Sequence, residues 1–346
     1  MKAIRECQTR RRLLLICSLA ILVIKLRAGV EAQSTSAGQS DTPTSGVASL
    51  SAAGDGNSTF SADYFADSDS ADSDSADSDS AGSDSADSFT KGPDDWVHRW
   101  LRTVDKTRSE QPHYASPLIT THVLLVQQFR LDSWYQSAHP SGAETDEYGA
   151  GRGLEVIPNS RMEVQVGIPP YYFHQSPNTP DGFGDLSVFL KFRVASAPEA
   201  KGGYFLGFFL GGSFPSGTPP NGTGHTIWTP MIAAAKRWRW FDWQTNFAGV
   251  LPQSGTATIG RQIIFNNTFQ FNAAKVFWPE VESNTTFFVE GPHSDNAQTF
   301  LTPGLVIGPF RVGERLHFTF GGGLQTAVSG FYLYNHRWIW TARFPF

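Results

Sequence analysis

The sequence predicts an all-β protein: an up-and-down antiparallel transmembrane β-barrel of about twelve strands, preceded by a signal peptide, a disordered acidic spacer and a short amphipathic helix. Three observations carry that expectation. Beyond Pro117, apolar and polar residues alternate with period two through one segment after another. Long polar connections interleave with short turns, as consecutive hairpins of an up-and-down barrel require. The chain stops on a strand whose last residue is Phe346.

The N-terminal elements come first. Residues Met1–Ala32 carry 7 basic and 2 acidic groups, residues 33–90 carry none and 11, and residues 91–346 carry 20 and 19. No stretch of folded size has the Lys/Arg excess that phosphate binding needs, so a nucleic-acid partner is excluded. Within residues 1–32, Arg10, Arg11 and Arg12 precede the apolar run Leu13 to Ile24, and Val30-Glu31-Ala32 supplies small residues at a cleavage point. Twelve apolar residues stopped by Lys25 and Arg27 fall short of the ~20 a spanning helix needs, which favours a removed signal peptide. Both cysteines, Cys7 and Cys17, lie there, so the exported chain should contain none and a thiol enzyme is excluded.

Residues 33–90 form the expected disordered spacer. The pentad ADSDS recurs from Ala66, with Ala at 66, 71, 76, 81 and 86. It offers almost no apolar surface against the entropy of ordering, and its like charges repel. The Gly and ligand spacing of calcium loops is missing, so no metal is assigned. Residues 91–116 contain the predicted helix: in PDDWVHRWLRTVDK, Trp96, Trp100 and Val104 recur every four residues behind Pro93. Such a helix caps a core, lies in a membrane interface or plugs a pore.

Residues 117–346 form the expected barrel, with strands beginning near 118, 150, 161, 184, 203, 226, 238, 259, 274, 297, 314 and 336. In GDLSVFLKFRV, Leu186, Val188, Leu190, Phe192 and Val194 face one way, and Asp185, Ser187, Lys191 and Arg193 the other. Trp134, Trp228, Trp238, Trp240, Trp338 and Trp340 near strand ends suggest an interfacial girdle. In the terminal HRWIWTARFPF, Trp340, Phe344 and Phe346 share the apolar face. That ending is similar to the C-terminal signature of bacterial outer-membrane proteins, which implies the barrel-assembly machinery as a partner.

With the apolar face in lipid, the polar face lines a lumen. The charged candidates are Glu155, Glu163, Asp185, Asp242, Glu280 and Glu282 against Arg161, Lys191, Arg193, Arg315, Arg337 and Arg343. Gln165, Gln244, Asn246, Gln262, Asn266, Thr268, Gln270 and His317 add hydrogen-bonding groups. The inverted orientation would put Lys and Arg into hydrocarbon at roughly 2–4 kcal/mol each near the midplane. These charges either brace the barrel or line a permeation path, and the balance of signs predicts little ion preference. About twelve strands implies a narrow conduit, or one plugged by a loop or the N-terminal helix.

Enzyme motifs are weak. No GxSxG, HExxH, CxxC or P-loop occurs, and the nine His are scattered singly. No catalytic residue or cofactor is assigned. An outer-membrane lipid-modifying enzyme and a soluble secreted β-sandwich binding protein are the alternatives.

The stretches RGLEVIPNSRMEVQVGIPPYYF, DGFGDLSVFLKFR, FLGGSFPSG, MIAAAKRW, VFWPEVESN and FLTPGLVIG resemble the family of outer-membrane transporter-like barrels named after the meta pathway of phenol degradation. The likeness rests on the GxGD turn and following LK (Gly182, Gly184, Asp185, Lys191) and on Pro215 and Gly217, and covers Ile119 to the C-terminus. It implies a barrel in the bacterial outer membrane moving small, often aromatic or hydrophobic, solutes, with the spacer in the periplasm. Gly182 and Gly184 are expected to supply positive φ, and Asp185 to accept backbone N–H groups.

Overall fold

The computed structural model describes residues 93–138 and 144–346, with side chains from Trp96 onward; the expected signal peptide and acidic spacer lie outside the described residues. A single helix of more than one turn is described, α1 (Pro93–Ser109). Among the described residues the strands pair into one closed antiparallel barrel of twelve. They are β1 (Gln128–Ala138), β2 (Thr145–Gly149 with Gly153–Asn159), β3 (Met162–Gly167 with Tyr171–His174) and β4 (Gly182–Phe183 with Leu186–Ala197). There follow β5 (Tyr204–Phe214), β6 (Ile227–Trp238), β7 (Phe241–Pro252), β8 (Gln262–Phe271), β9 (Phe277–Phe288), β10 (Ala297–Arg311), β11 (His317–Ala327) and β12 (Tyr334–Pro345). Each strand pairs with its sequence neighbours, and β12 closes on β1 from Gln128 opposite Pro345 to Ala138 opposite Tyr334.

That closing register puts the start of β1 and the end of β12 at one rim. The short connections 160–161, 198–203, 239–240, 272–276 and 312–316 share it, and the long connections lie at the other. The strand expected near 118 does not exist. The first strand begins at Gln128, and residues 111–127 lie inside the barrel. Ile, Thr, Val and Leu suit a pleated surface and a packed interior segment equally well, so composition alone misread this stretch.

Three adjacent strands are interrupted at the same level. Gly149, Ala150 and Gly151 all have positive φ in β2, Pro169 and Pro170 break β3, and Gly184-Asp185 break β4. The expected positive φ at Gly182 and Gly184 is not found. Their glycine requirement is steric instead: a Cβ on Gly182 would run into Thr218 and Asn221, and one on Gly184 would lie 2.7 Å from Pro170 Cγ.

Burial alternates along the strands with the apolar residues outward and the polar residues inward. Ile232 is 57% exposed, Phe247 52% and Trp340 50%, whereas Glu282, Lys191 and Arg343 are fully buried. The soluble β-sandwich alternative is thereby overturned, because its inner faces would be apolar. The expected girdle is corrected too. Trp134 points inward, with Arg337 over its ring at 4.5 Å. Trp340 sits at mid-strand opposite Gly322 of β11, where the missing side chain leaves room for the indole. Trp228 and Trp238 do sit at strand ends on the outer face.

Helix α1 runs one turn beyond the predicted segment and lies across the short-turn rim. Its stripe meets the barrel through Val104, fully buried, and Trp100, whose Nε1 donates to Ile157 O of β2 at 2.7 Å. Trp96 stacks on Trp100 at 5.8 Å but stays 61% exposed. Polar ties spread around the rim: Arg315 to Asp105 at 2.6 Å, and Arg108 to Gln127 O at 3.2 Å and Phe346 O at 2.8 Å.

Candidate functional site: the barrel interior and the segment that occupies it

Each strand turns its alternate residues inward, and the wall is polar except along β5 and β6, where Phe205, Phe209, Met231, Ala233 and Ala235 face in. Glu155, Glu163, Gln165, Lys191, Arg193, Asp242, Gln244, Gln262, Asn266, Gln270, Glu280, Glu282 and Arg343 are all buried there, as are Asn246, Thr268 and Arg337. Three candidates fall elsewhere. Arg161 occupies the two-residue turn between β2 and β3 and is exposed, since β3 starts one residue later. Arg315 lies in the turn before β11 and reaches out to Asp105 on α1. His317 opens β11 at the rim, Nδ1 3.0 Å from Arg315 O. Asp185 is buried, but at the strand break near the long-loop rim. It accepts the N–H groups of Gly217 and Thr223, each at 2.8 Å, and the Thr223 hydroxyl at 2.6 Å, so it anchors the 215–226 loop.

Sequence reasoning missed a cluster beside the barrel seam. Arg130 donates to both oxygens of Asp132, Nε at 2.8 Å and Nη2 at 2.6 Å, and Arg152 reaches the same carboxylate at 3.1 Å. All three are buried. The alternation of Phe129 and Leu131 with Arg130 and Asp132 carried the signal, but β1 was placed too early for it to be phased.

Residues 111–127 leave the end of α1, fill the lumen and return to β1. Every one is buried except His113, at the entrance. The wall holds this segment mainly by its backbone. Glu280 accepts the N–H of Leu118 at 2.9 Å, Glu282 those of Ile119 and Thr120 at 2.7 and 2.5 Å, and Glu163 that of Val126 at 2.5 Å. Cations hold the carbonyls: Arg343 those of Ser116 and Pro117 at 3.2 and 3.0 Å, Arg130 that of Leu118 at 3.2 Å, and Lys191 that of Leu124 at 3.4 Å. Gln244 and Asn246 donate to Ala115 O and Thr121 O. Behind these contacts the wall bonds to itself, Gln270 to Glu280 at 2.5 Å and Lys191 to Glu163 at 2.9 Å.

At the entrance Glu199, in the β4–β5 turn, accepts His113 N–H at 2.7 Å and lies 3.3 Å from His113 Nδ1. Burial alone would raise this carboxyl, but the hydrogen bonds from His113 outweigh it and hold the group at about 2. On the long-loop side, a shallow recess is lined by Ile119, Trp134, Phe300, Tyr334, Gln298 and Arg337. The Phe300 and Tyr334 rings stack at 4.4 Å, and Arg337 lies 4.3 Å over Tyr334.

No protein-family model matches the sequence, nor does any curated protein. Among solved structures, an outer membrane channel from Pseudomonas putida F1 is similar at 12% identity over 64% of this chain and 97% of that one, with a TM-score of 0.46. The NanC porin aligns at 7% identity over 62% and 98% of the two chains, with a TM-score of 0.41. The KdgM porin aligns at 7% over 63% and 99%, with a TM-score of 0.38. The barrel described above rests on this chain's own strand pairing.

Proposed function

We propose that this protein is an outer-membrane channel for small solutes whose conduit is closed, in the conformation described, by its own residues 111–127. The observation that carries the reading is the sense of the alternation: an apolar outer belt fits lipid, and buried charge along β1–β4, β7, β9 and β12 fits a hydrophilic passage. A water-soluble protein exposing that belt would aggregate.

The closure reads as reversible. Wall and segment meet through charge-assisted hydrogen bonds, which water can replace as the segment withdraws. The bacterial outer membrane and the assembly machinery that would read Phe346 belong to this proposal, as do the periplasmic side for the N-terminus and the small aromatic or hydrophobic solutes implied by the family resemblance.

Solute-dependent swelling of proteoliposomes tests the reading: slow for the unaltered chain, faster once the segment's hold is weakened. Turnover of phospholipid or lipid A without swelling would replace it with the lipid-modifying enzyme.

A further inference from the structure

Seven consecutive residues of the inner segment, Ala115 to Thr121, each have at least one main-chain group held by a wall side chain. Donors and acceptors are sorted by wall. The N–H groups of Leu118, Ile119 and Thr120 turn to the carboxylates of β9, and the carbonyls of Ser116, Pro117 and Leu118 turn to the guanidiniums of β12 and β1. In this stretch the wall reaches a side chain through Asn284 to Thr120 Oγ1 at 3.2 Å. What the wall recognises is peptide backbone.

We infer that the open lumen is a binding site for the main chain of a short peptide, with Glu280 and Glu282 taking its N–H groups and Arg130 and Arg343 its carbonyls. This rests on the channel reading above and names for it a solute class different from the aromatic or hydrophobic one that the family resemblance implies. These four side chains are buried beneath the segment; when it leaves, water takes over their hydrogen bonds until a solute with matching donors and acceptors displaces it. An apolar aromatic solute has no groups to offer. A peptide repeats a donor and an acceptor at every residue, in the arrangement the occupant already shows.

The test uses full-length chain carrying Thr120→Pro, which removes one N–H from the Glu282 carboxylate and the hydroxyl that Asn284 reaches, and leaves every wall residue intact, with Ile119→Pro as a second variant that removes an N–H alone among these wall contacts. Heat-modifiable migration on gels reports folding. In planar bilayers the opened variants are exposed to N-acetyl-trialanine amide or to triethylene glycol, both uncharged. The peptide is expected to interrupt the current at least about tenfold longer than the glycol, the equivalent of ~1.4 kcal/mol. Adding Glu280→Gln and Glu282→Gln should erase that difference. Equal interruptions in a conducting variant overturn the inference and leave the channel standing. Folded variants that never conduct overturn both. In the unaltered chain, the peptide competing for the seat should speed hydrogen exchange at the Leu118–Thr120 amides; unchanged exchange at the highest peptide concentration also counts against it.

Discussion

Glu282 holds two successive backbone N–H groups and also accepts the Thr268 hydroxyl at 3.3 Å. Hydrogen bonds to a charged group contribute ~1.5–3 kcal/mol each, more than a neutral amide can replace. Glu282→Gln is therefore expected to weaken closure by at least ~1.4 kcal/mol, about a tenfold rise in open probability in single-channel records. An unchanged open probability would contradict the role given to this carboxylate. On the outer face, Leu190 is 39% exposed at the middle of β4. Leu190→Arg should cost roughly 2–4 kcal/mol in a bilayer and block assembly into heat-modifiable protein, while Leu190→Phe should assemble normally. Ser187 on the inward face is a poor site for a matching Arg control, because its hydroxyl donates to Gly151 O at 3.3 Å in the tight region of the strand breaks.

At the scale of elements, the sequence was most legible where one face had to be apolar. The outward series of β4, the inward Glu163 and Gln165 of β3, and the outward Phe265 and Phe269 of β8 all follow from period-two alternation. It was least legible where no periodicity exists. Residues 111–127 take their conformation from contacts with Glu280, Glu282 and Arg343, more than 150 positions away, and no local pattern encodes those partners. Trp134 was misplaced for a related reason: its inward direction depends on the phase of β1, which the residues before Gln128 obscured.

The rim turn carrying Glu199 supports a prediction of its own. A carboxyl held at about 2 when bound to His113, against an ordinary value of 4.5, stays ionised in the closed state while the released group takes up a proton. Its contribution to closure is complete above about 4.5 and is lost as pH falls towards about 2. Open probability should therefore rise across that window, and Glu199→Gln should flatten this part of the profile. A profile identical in both proteins would assign the acid response to other groups. The exposed Asp105–Arg315 pair should matter less: Asp105→Ala is expected to shift stability by no more than ~1 kcal/mol.

For the whole molecule, twelve strands enclose more space than wall side chains fill, yet less than the open channel of a barrel with 16 to 18 strands. The remaining space holds a polypeptide segment, tied covalently to α1 on one side and β1 on the other, so filling the lumen and capping the rim are parts of one connected structure. The most direct measurement is solute flux into proteoliposomes containing equal amounts of folded unaltered chain and Thr120→Pro. Slow entry is expected for the unaltered chain and at least about tenfold faster entry for the variant, which loses a hydrogen bond to a carboxylate and the Asn284 contact to its hydroxyl. Equal flux through the two proteins, whether fast or absent, would contradict it.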